Sequence, residues 1–298
     1  MKYLKFSILI FFGAVFLVVA CSGDEDCTET VWYLDADGDG LGDPNESRTS
    51  CDQPNGYVSN SNDTDDSGTT ANATSTPRSA FDEYNPDAVT VSFDGDQITI
   101  QSNALPNHTS PYWATDNALY IDPVVANESR MSPGTIHEGN YILTVPAAPA
   151  KAANPSATGL GAIGISVTGA PIFNDQEGPN ISLSENVASG FDYAGGHMGP
   201  SGYHYHLESS DVPENTILSF DDDKLVGILQ DGFLLYGRRD SETGEYPDDL
   251  DASGGHFGVT QHSDGEEIYH YHIINEFYIG SYILLFGEDL QGSPNSIM

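Results

Sequence analysis

The chain has 298 residues, with 9 Lys and Arg against 45 Asp and Glu, a formal charge of -36 at neutral pH. Such a chain repels nucleic acid and anionic membrane faces, which excludes nucleic acid as a partner, and draws in cations, calcium foremost. The length suits one sizeable domain plus a small module, and 31 Gly, 16 Tyr and 13 Phe with no long 3.6-residue periodicity predict a mainly β fold.

The first element is a targeting segment. Lys2 and Lys5 precede an apolar run from Phe6 to Ala20, short for a membrane span, that closes on Leu17-Val18-Val19-Ala20-Cys21. Residues 1–20 are therefore predicted to be a signal peptide. The closing residues resemble the lipobox of bacterial lipoproteins, which implies cleavage before Cys21 and acylation of that cysteine into outer-membrane lipid. The acidic run Ser22-Gly23-Asp24-Glu25-Asp26 resembles the surface-export tether of some Gram-negative lipoproteins. The expected location is the bacterial cell envelope, at the outer membrane. With Cys21 lipidated, Cys27 and Cys51 remain as an even pair in an oxidising compartment.

Residues 21–66 form an acidic module. Asp35, Asp37, Asp39 and Asp43 alternate with small residues, including Gly38, Gly40 and Gly42, so a tight loop can wrap a hard cation in oxygen ligands. The run opens like an EF-hand loop, but Glu46 at position twelve follows Pro44 and no flanking helices are predicted. Together, Trp32-Tyr33-Leu34-Asp35, Gln53-Pro54-Asn55-Gly56-Tyr57-Val58 and Asn62-Asp63-Thr64-Asp65-Asp66 more closely resemble a thrombospondin type 3-like calcium repeat. The resemblance implies Ca2+ binding with Asp63 and Asp65 added to the ligand set. It departs at Thr64, where the family often has a cysteine, which leaves Cys27 as the alternative partner for Cys51. The expected role is a stiffened stalk, followed by a polar, turn-rich linker at 67–86.

From Asp87 to the last residue the texture is that of strands. Val89–Phe93, Gln97–Gln101 and Tyr141–Val145 are rich in β-branched residues, and Asp94-Gly95 predicts a hairpin turn between the first two. Ile163-Gly164-Ile165 through Gly169 to Ile172-Phe173 matches Val226-Gly227-Ile228 through Gly232 to Leu235-Tyr236, each an apolar strand, a glycine turn and a second apolar strand. Each predicted hairpin precedes its own histidine motifs: Gly195-Gly196-His197 with Tyr203-His204-Tyr205-His206, and Gly254-Gly255-His256 with Tyr269-His270-Tyr271-His272. The offsets between copies are 63 residues for the hairpin glycines, 59 for the first histidines and 66 for the tetrapeptides. Near-equal offsets in one order argue for duplication of a supersecondary unit. The predicted architecture is a pair of duplicated β-hairpin units forming one compact β-rich domain about a shared site, plus the small calcium-loop module.

Six of the nine histidines sit in these copies. On a strand, residues i and i+2 share a face, so His204 with His206, and His270 with His272, would project together while the tyrosines line the other face. Paired imidazoles chelate Zn, Cu, Fe or Ni, and His197 or His256 would supply a third ligand. Zn2+ and Cu2+ are the expected ions. Asp192 and Asp251 are candidate acceptors for imidazole N–H groups. A lone Tyr-His-Tyr-His would read as an aromatic core strand, but two copies with upstream glycine-histidine turns read as ligands. His108, His137 and His262 lack that context and read as surface or loop residues.

These stretches, with Asn103–His108, Asn174, Glu177-Gly178 and Asp231–Gly237, are similar to the YHYH domain family from about Ser92 to Gly287. The resemblance raises His108 and carries no established activity with it. The second copy departs from the family in its longer, acidic Gln261–Glu267 stretch.

Three functions are in view: transition-metal binding, a metal-dependent hydrolase or oxidoreductase, and a calcium-stiffened structural or adhesive module. Asp231 or Asp192 is the candidate general base for the enzyme reading, Asp231 first because the first copy has Thr168 at its place. A turn-forming Asp-Gly is the plainer account of it. No helical zinc-protease motif or serine nucleophile elbow occurs, and Gly159–Gly164 leads into a strand where a dinucleotide fingerprint needs a helix.

Overall fold

The computed structural model describes residues 29–34, 42–54, 56–61, 75–179, 181–209 and 222–298. They fall into two units, one within residues 1–66 and the other within 67–298. In the first, β1 (Thr30–Leu34) is the central strand between β2 (Ser47–Ser50) and β3 (Tyr57–Val58), antiparallel to both. The N–H of Asp43 donates to Leu34 O at 2.8 Å, bringing the two flanks of the predicted calcium loop together. Gly42 is needed at this closure, since a Cβ there would stand 2.4 Å from Tyr33 Cβ. Asp43 Oδ1 accepts the backbone and side-chain N–H groups of Asn45. Cys51 is disulfide-bonded. Asp35, Asp37, Asp39, Asp63, Asp65, Cys21 and Cys27 lie outside the described residues.

The second unit is mainly β, as predicted. β4 (Val89–Asp94), β5 (Gln97–Ser102) and β6 (Tyr141–Pro146) make an antiparallel sheet, with Gly95 at φ +60° in the predicted turn. Next come β7 (Lys151–Ser156), the hairpin β8 (Ala162–Ser166) and β9 (Pro171–Phe173), then β10 (Gln176–Gly178) and β11 (Ile181–Ser182). The four-residue α1 (Glu185–Ala188) is capped by Ser184, whose side chain accepts Val187 N–H. After it run β12 (Gly196–Gly199), β13 (Gly202–Tyr205) and β14 (Leu207–Ser209). The second copy supplies the hairpin β15 (Leu225–Leu229) and β16 (Leu234–Tyr236), then β17 (Gly255–Val259) and β18 (Glu267–His272). β19 (Tyr282–Leu284) pairs with β14, and β20 (Leu290–Gly292) with β7.

Eight of these strands form one sheet in the order β12-β13-β9-β8-β15-β16-β18-β17. The order reads the same from either edge: glycine-histidine strand, tetrapeptide strand, second hairpin strand, first hairpin strand. β8 and β15 meet antiparallel at the centre, whereas β13 joins β9 and β18 joins β16 in parallel. The duplication is thus a pseudo-two-fold sheet whose axis passes between β8 and β15. Gly169 and Gly232, at φ +107° and +94°, make the two equivalent hairpin turns.

The core divides into two main clusters. Ile98, Ile100, Leu143 and Val145 from the small sheet pack with Ile165, Ile228, Leu234 and Tyr236 of the large one. A second cluster gathers Tyr203, Tyr205, Tyr269, Tyr271, Phe233, Leu285 and Phe286. The tetrapeptide tyrosines therefore form apolar core while the alternating histidines face away from it, as the strand period requires. The expectation of one shared site is corrected here. Five strand steps separate β13 from β18, about 24 Å along the sheet at ~4.8 Å per step, so each copy gathers its own histidines.

Candidate metal centres

In the first copy His197, His204 and His206 converge, and in the second His256, His270 and His272 do; within each trio one potential ligand atom per residue lies within 4.8 Å of the others. Antiparallel pairing sets His197 opposite His204 and His256 opposite His270, and the i+2 rule brings in His206 and His272.

The glycines of the motif have separate jobs. Gly195 and Gly254 turn the chain at φ +75° and +79°. Gly196 and Gly255 leave room for tyrosine, since a Cβ there would stand 2.4 Å from Tyr203 Oη and 2.0 Å from Tyr269 Oη. Gly199 leaves room for an imidazole, with its Cβ position 2.5 Å from His204 Cε1.

Hydrogen bonds fix the tautomers. His204 Nδ1 donates to Gly202 O at 3.0 Å and His270 Nδ1 to Ile268 O at 2.9 Å, the carbonyl two residues back in both copies. His206 Nδ1 donates to Asn174 O, and His272 Nδ1 to Gly237 O at 2.7 Å; Asn174 and Gly237 are equivalent under the hairpin offset of 63. His256 Nδ1 donates to Asp249 Oδ1 at 2.8 Å, and His197 Nδ1 shares a hydrogen bond with Ser132 Oγ at 3.0 Å. A carbonyl or carboxylate oxygen can only accept, so five of these rings carry a proton on Nδ1, which makes Nε2 the lone-pair atom in the neutral form of each. Among the described residues, Nε2 of His197, His206 and His256 is buried with no hydrogen-bond partner. His270 Nε2 and His272 Nε2 stand 2.9 Å apart.

Burial, with help from neighbouring imidazoles, pushes His204, His206 and His270 down to about 3, and burial pushes His272 down to about 4. All four are neutral at pH 7, the form that ligates metal. Phe173 stacks on His204 with ring centroids 4.0 Å apart, and Phe191 on His197 at 4.2 Å, so the first centre is walled by aromatic rings.

Two carboxylates that the motifs do not contain join the clusters. Glu177 Oε1 lies 3.3 Å from His197 Nε2 and 3.5 Å from His206 Nε2. Burial pushes Glu177 up, but His197 and His206 outweigh it and hold the carboxyl below its ordinary range. In the second copy Asp240 Oδ2 is 4.0 Å from His256 Nε2. Glu177 and Asp240 are themselves 63 residues apart, the offset of the hairpin glycines, and that spacing, with the family resemblance at Glu177-Gly178, was the signal available in the sequence.

Asp192 and Asp251 do not hold imidazoles, contrary to expectation. Asp192 Oδ2 accepts Tyr203 Oη at 2.8 Å and Asp251 Oδ2 accepts Tyr269 Oη at 2.7 Å, while their Oδ1 atoms accept Gly196 and Gly255 N–H. The tyrosines claim them because both residues lie on the tyrosine side of the sheet. Asp231 lies there too, accepting Tyr271 Oη at 2.7 Å and Gly292 N–H at 3.0 Å, where Thr168 meets Tyr205 Oη at 3.0 Å in the first copy. Burial raises the Asp231 carboxyl.

Nor are His108 and His262 surface residues. His108 is buried with Nε2 2.7 Å from Tyr205 Oη, and buried His262 bridges Tyr236 Oη at 2.9 Å and Glu83 Oε1 at 2.9 Å. His137 is exposed, with Nδ1 donating to Thr135 O.

Residues 142–245 match the family model of the YHYH protein. The matched YHYH region takes in the first centre whole, with both hairpins and Asp240, and ends before Gly254 and the second set of histidines. No curated protein and no solved structure matches the chain.

Proposed function

We propose that this is an exported, lipid-anchored protein of the bacterial cell envelope whose duplicated YHYH domain binds two transition-metal ions, with calcium held by the N-terminal module. The observation that carries the metal reading is the facing pair His270 Nε2 and His272 Nε2, 2.9 Å apart. Both rings donate from Nδ1 to carbonyls, so two buried lone pairs point at each other. That arrangement is repulsive, and a shared cation converts it to an attraction. Imidazole donors suit Zn2+ or Cu2+ over calcium. The lipid anchor rests on the segment from Lys2 to Cys21, and the calcium site on the acidic run from Asp35.

The test is elemental mass spectrometry of the full mature chain beside a His204→Ala, His206→Ala variant. Stoichiometric Zn, Cu or Fe that falls by half in the variant supports the reading. No metal after reconstitution makes the histidines structural and leaves the calcium-stiffened surface module as the account. A hydrolase or oxidoreductase acting outside the cytoplasm is the second reading, favoured by Asp240 standing 4.0 Å from His256 Nε2.

A further inference from the structure

The two centres are equivalent in topology but differ in the carboxylate each was dealt. A tetrahedral ion with ligands at about 2.0–2.1 Å has its ligand atoms about 3.3–3.4 Å apart. Glu177 Oε1, at 3.3 and 3.5 Å from two Nε2 atoms, sits at that edge length. Asp240 Oδ2, at 4.0 Å from one, does not. The cause is covalent: at the same repeat position aspartate is one methylene shorter than glutamate. Asp240 is also tied back into its own turn, with Oδ1 accepting Thr243 N–H at 2.7 Å and its carbonyl accepting Gly244 N–H at 2.8 Å.

The imidazoles of the two centres are buried alike, with the His197 and His256 side chains 5 % and 8 % exposed. The difference between the centres therefore lies in their carboxylates.

Resting on the two-centre metal reading above, we propose that the first centre is a closed four-ligand site, His197, His204, His206 and Glu177. The second is a three-ligand site, His256, His270 and His272, that keeps one position for an exogenous ligand, water or a small anion. Asp240 Oδ2 is placed to accept a hydrogen bond from that ligand and does not itself occupy the position. Closed sites serve structure and open ones bind and activate, so any chemistry belongs to the second copy.

The experiment uses Co2+ as the spectroscopic probe and azide as the anion, on the full chain with excess Ca2+ to fill all-oxygen sites. Two Co2+ per chain are expected, with azide shifting the visible bands of one. A His256→Ala, His270→Ala variant should lose the azide response, and a His197→Ala, His206→Ala variant should keep it. The exchange of carboxylates is the sharper arm. Glu177→Gln should open the first centre and make both ions respond, whereas Asp240→Glu should close the second and abolish the response. Equal responses from both centres in the wild type, or no change in either exchange, overturn the proposal while metal binding stands. Failure to take up Co2+, Zn2+ or Cu2+ at all overturns the metal reading itself, and this proposal with it.

Discussion

Ile165 and Ile228, equivalent residues of the two repeats, are paired with each other across β8 and β15. The pseudo-two-fold axis runs through that pair, and both side chains are fully buried in the same cluster. The seam between repeats is thus apolar and self-complementary.

Truncation there should cost stability in both halves at once. Ile165→Ala or Ile228→Ala should each lower the unfolding free energy by about 2–5 kcal/mol, and as contacting residues the pair should be non-additive. A denaturant double-mutant cycle checks this, with additivity within error counting against a shared seam.

A methyl group on the second motif glycine should act through tyrosine. In Gly255→Ala the new Cβ would meet Tyr269 Oη at 2.0 Å, forcing the ring off Asp251. The expected loss is about 1–3 kcal/mol. Adding Tyr269→Phe should recover part of it, and calorimetry of the single and double variants reads the difference.

The metal-free protein should weaken on acidification. The histidine side chain titrates near 6.5 when unfolded, but His204, His206 and His270 do so near 3 and His272 near 4 when folded. Between those values the unfolded chain binds more protons, so stability is fully present above about pH 6.5 and is lost as pH falls toward 3. Urea midpoints in chelator from pH 8 to pH 4 should decline steadily below 6.5. A flat profile would mean the rings are not buried as neutral groups.

Asp231 separates a structural from a catalytic role. Asp231→Ala should leave metal content unchanged and cost about 1–3 kcal/mol by removing the acceptor of the Tyr271 hydroxyl and the Gly292 N–H. Loss of metal in this variant would contradict its place on the tyrosine side of the sheet.

Cys21→Ser should move the protein from the membrane fraction to the soluble one, as expected when acyl chains supply the anchor. Fractionation with an antibody against the main domain checks it, and unchanged membrane association would overturn the lipid-anchor reading.

The sequence by itself determined the strand texture, the duplication and the two histidine trios. Those signals are local: alternation sets which side chains share a face, and the glycines mark where the chain must turn or make room. What only the tertiary structure decided is how far apart the copies lie and which carboxylate serves which role. Strand order inserted the two hairpins between the histidine strands, so one expected site became two. Asp192, Asp231 and Asp251 were drawn to tyrosines, while Glu177 and Asp240, outside the histidine motifs, arrived at the imidazoles. A carboxylate's partner is set by what the fold brings within about 3 Å of it, and that distance has no local signature along the chain.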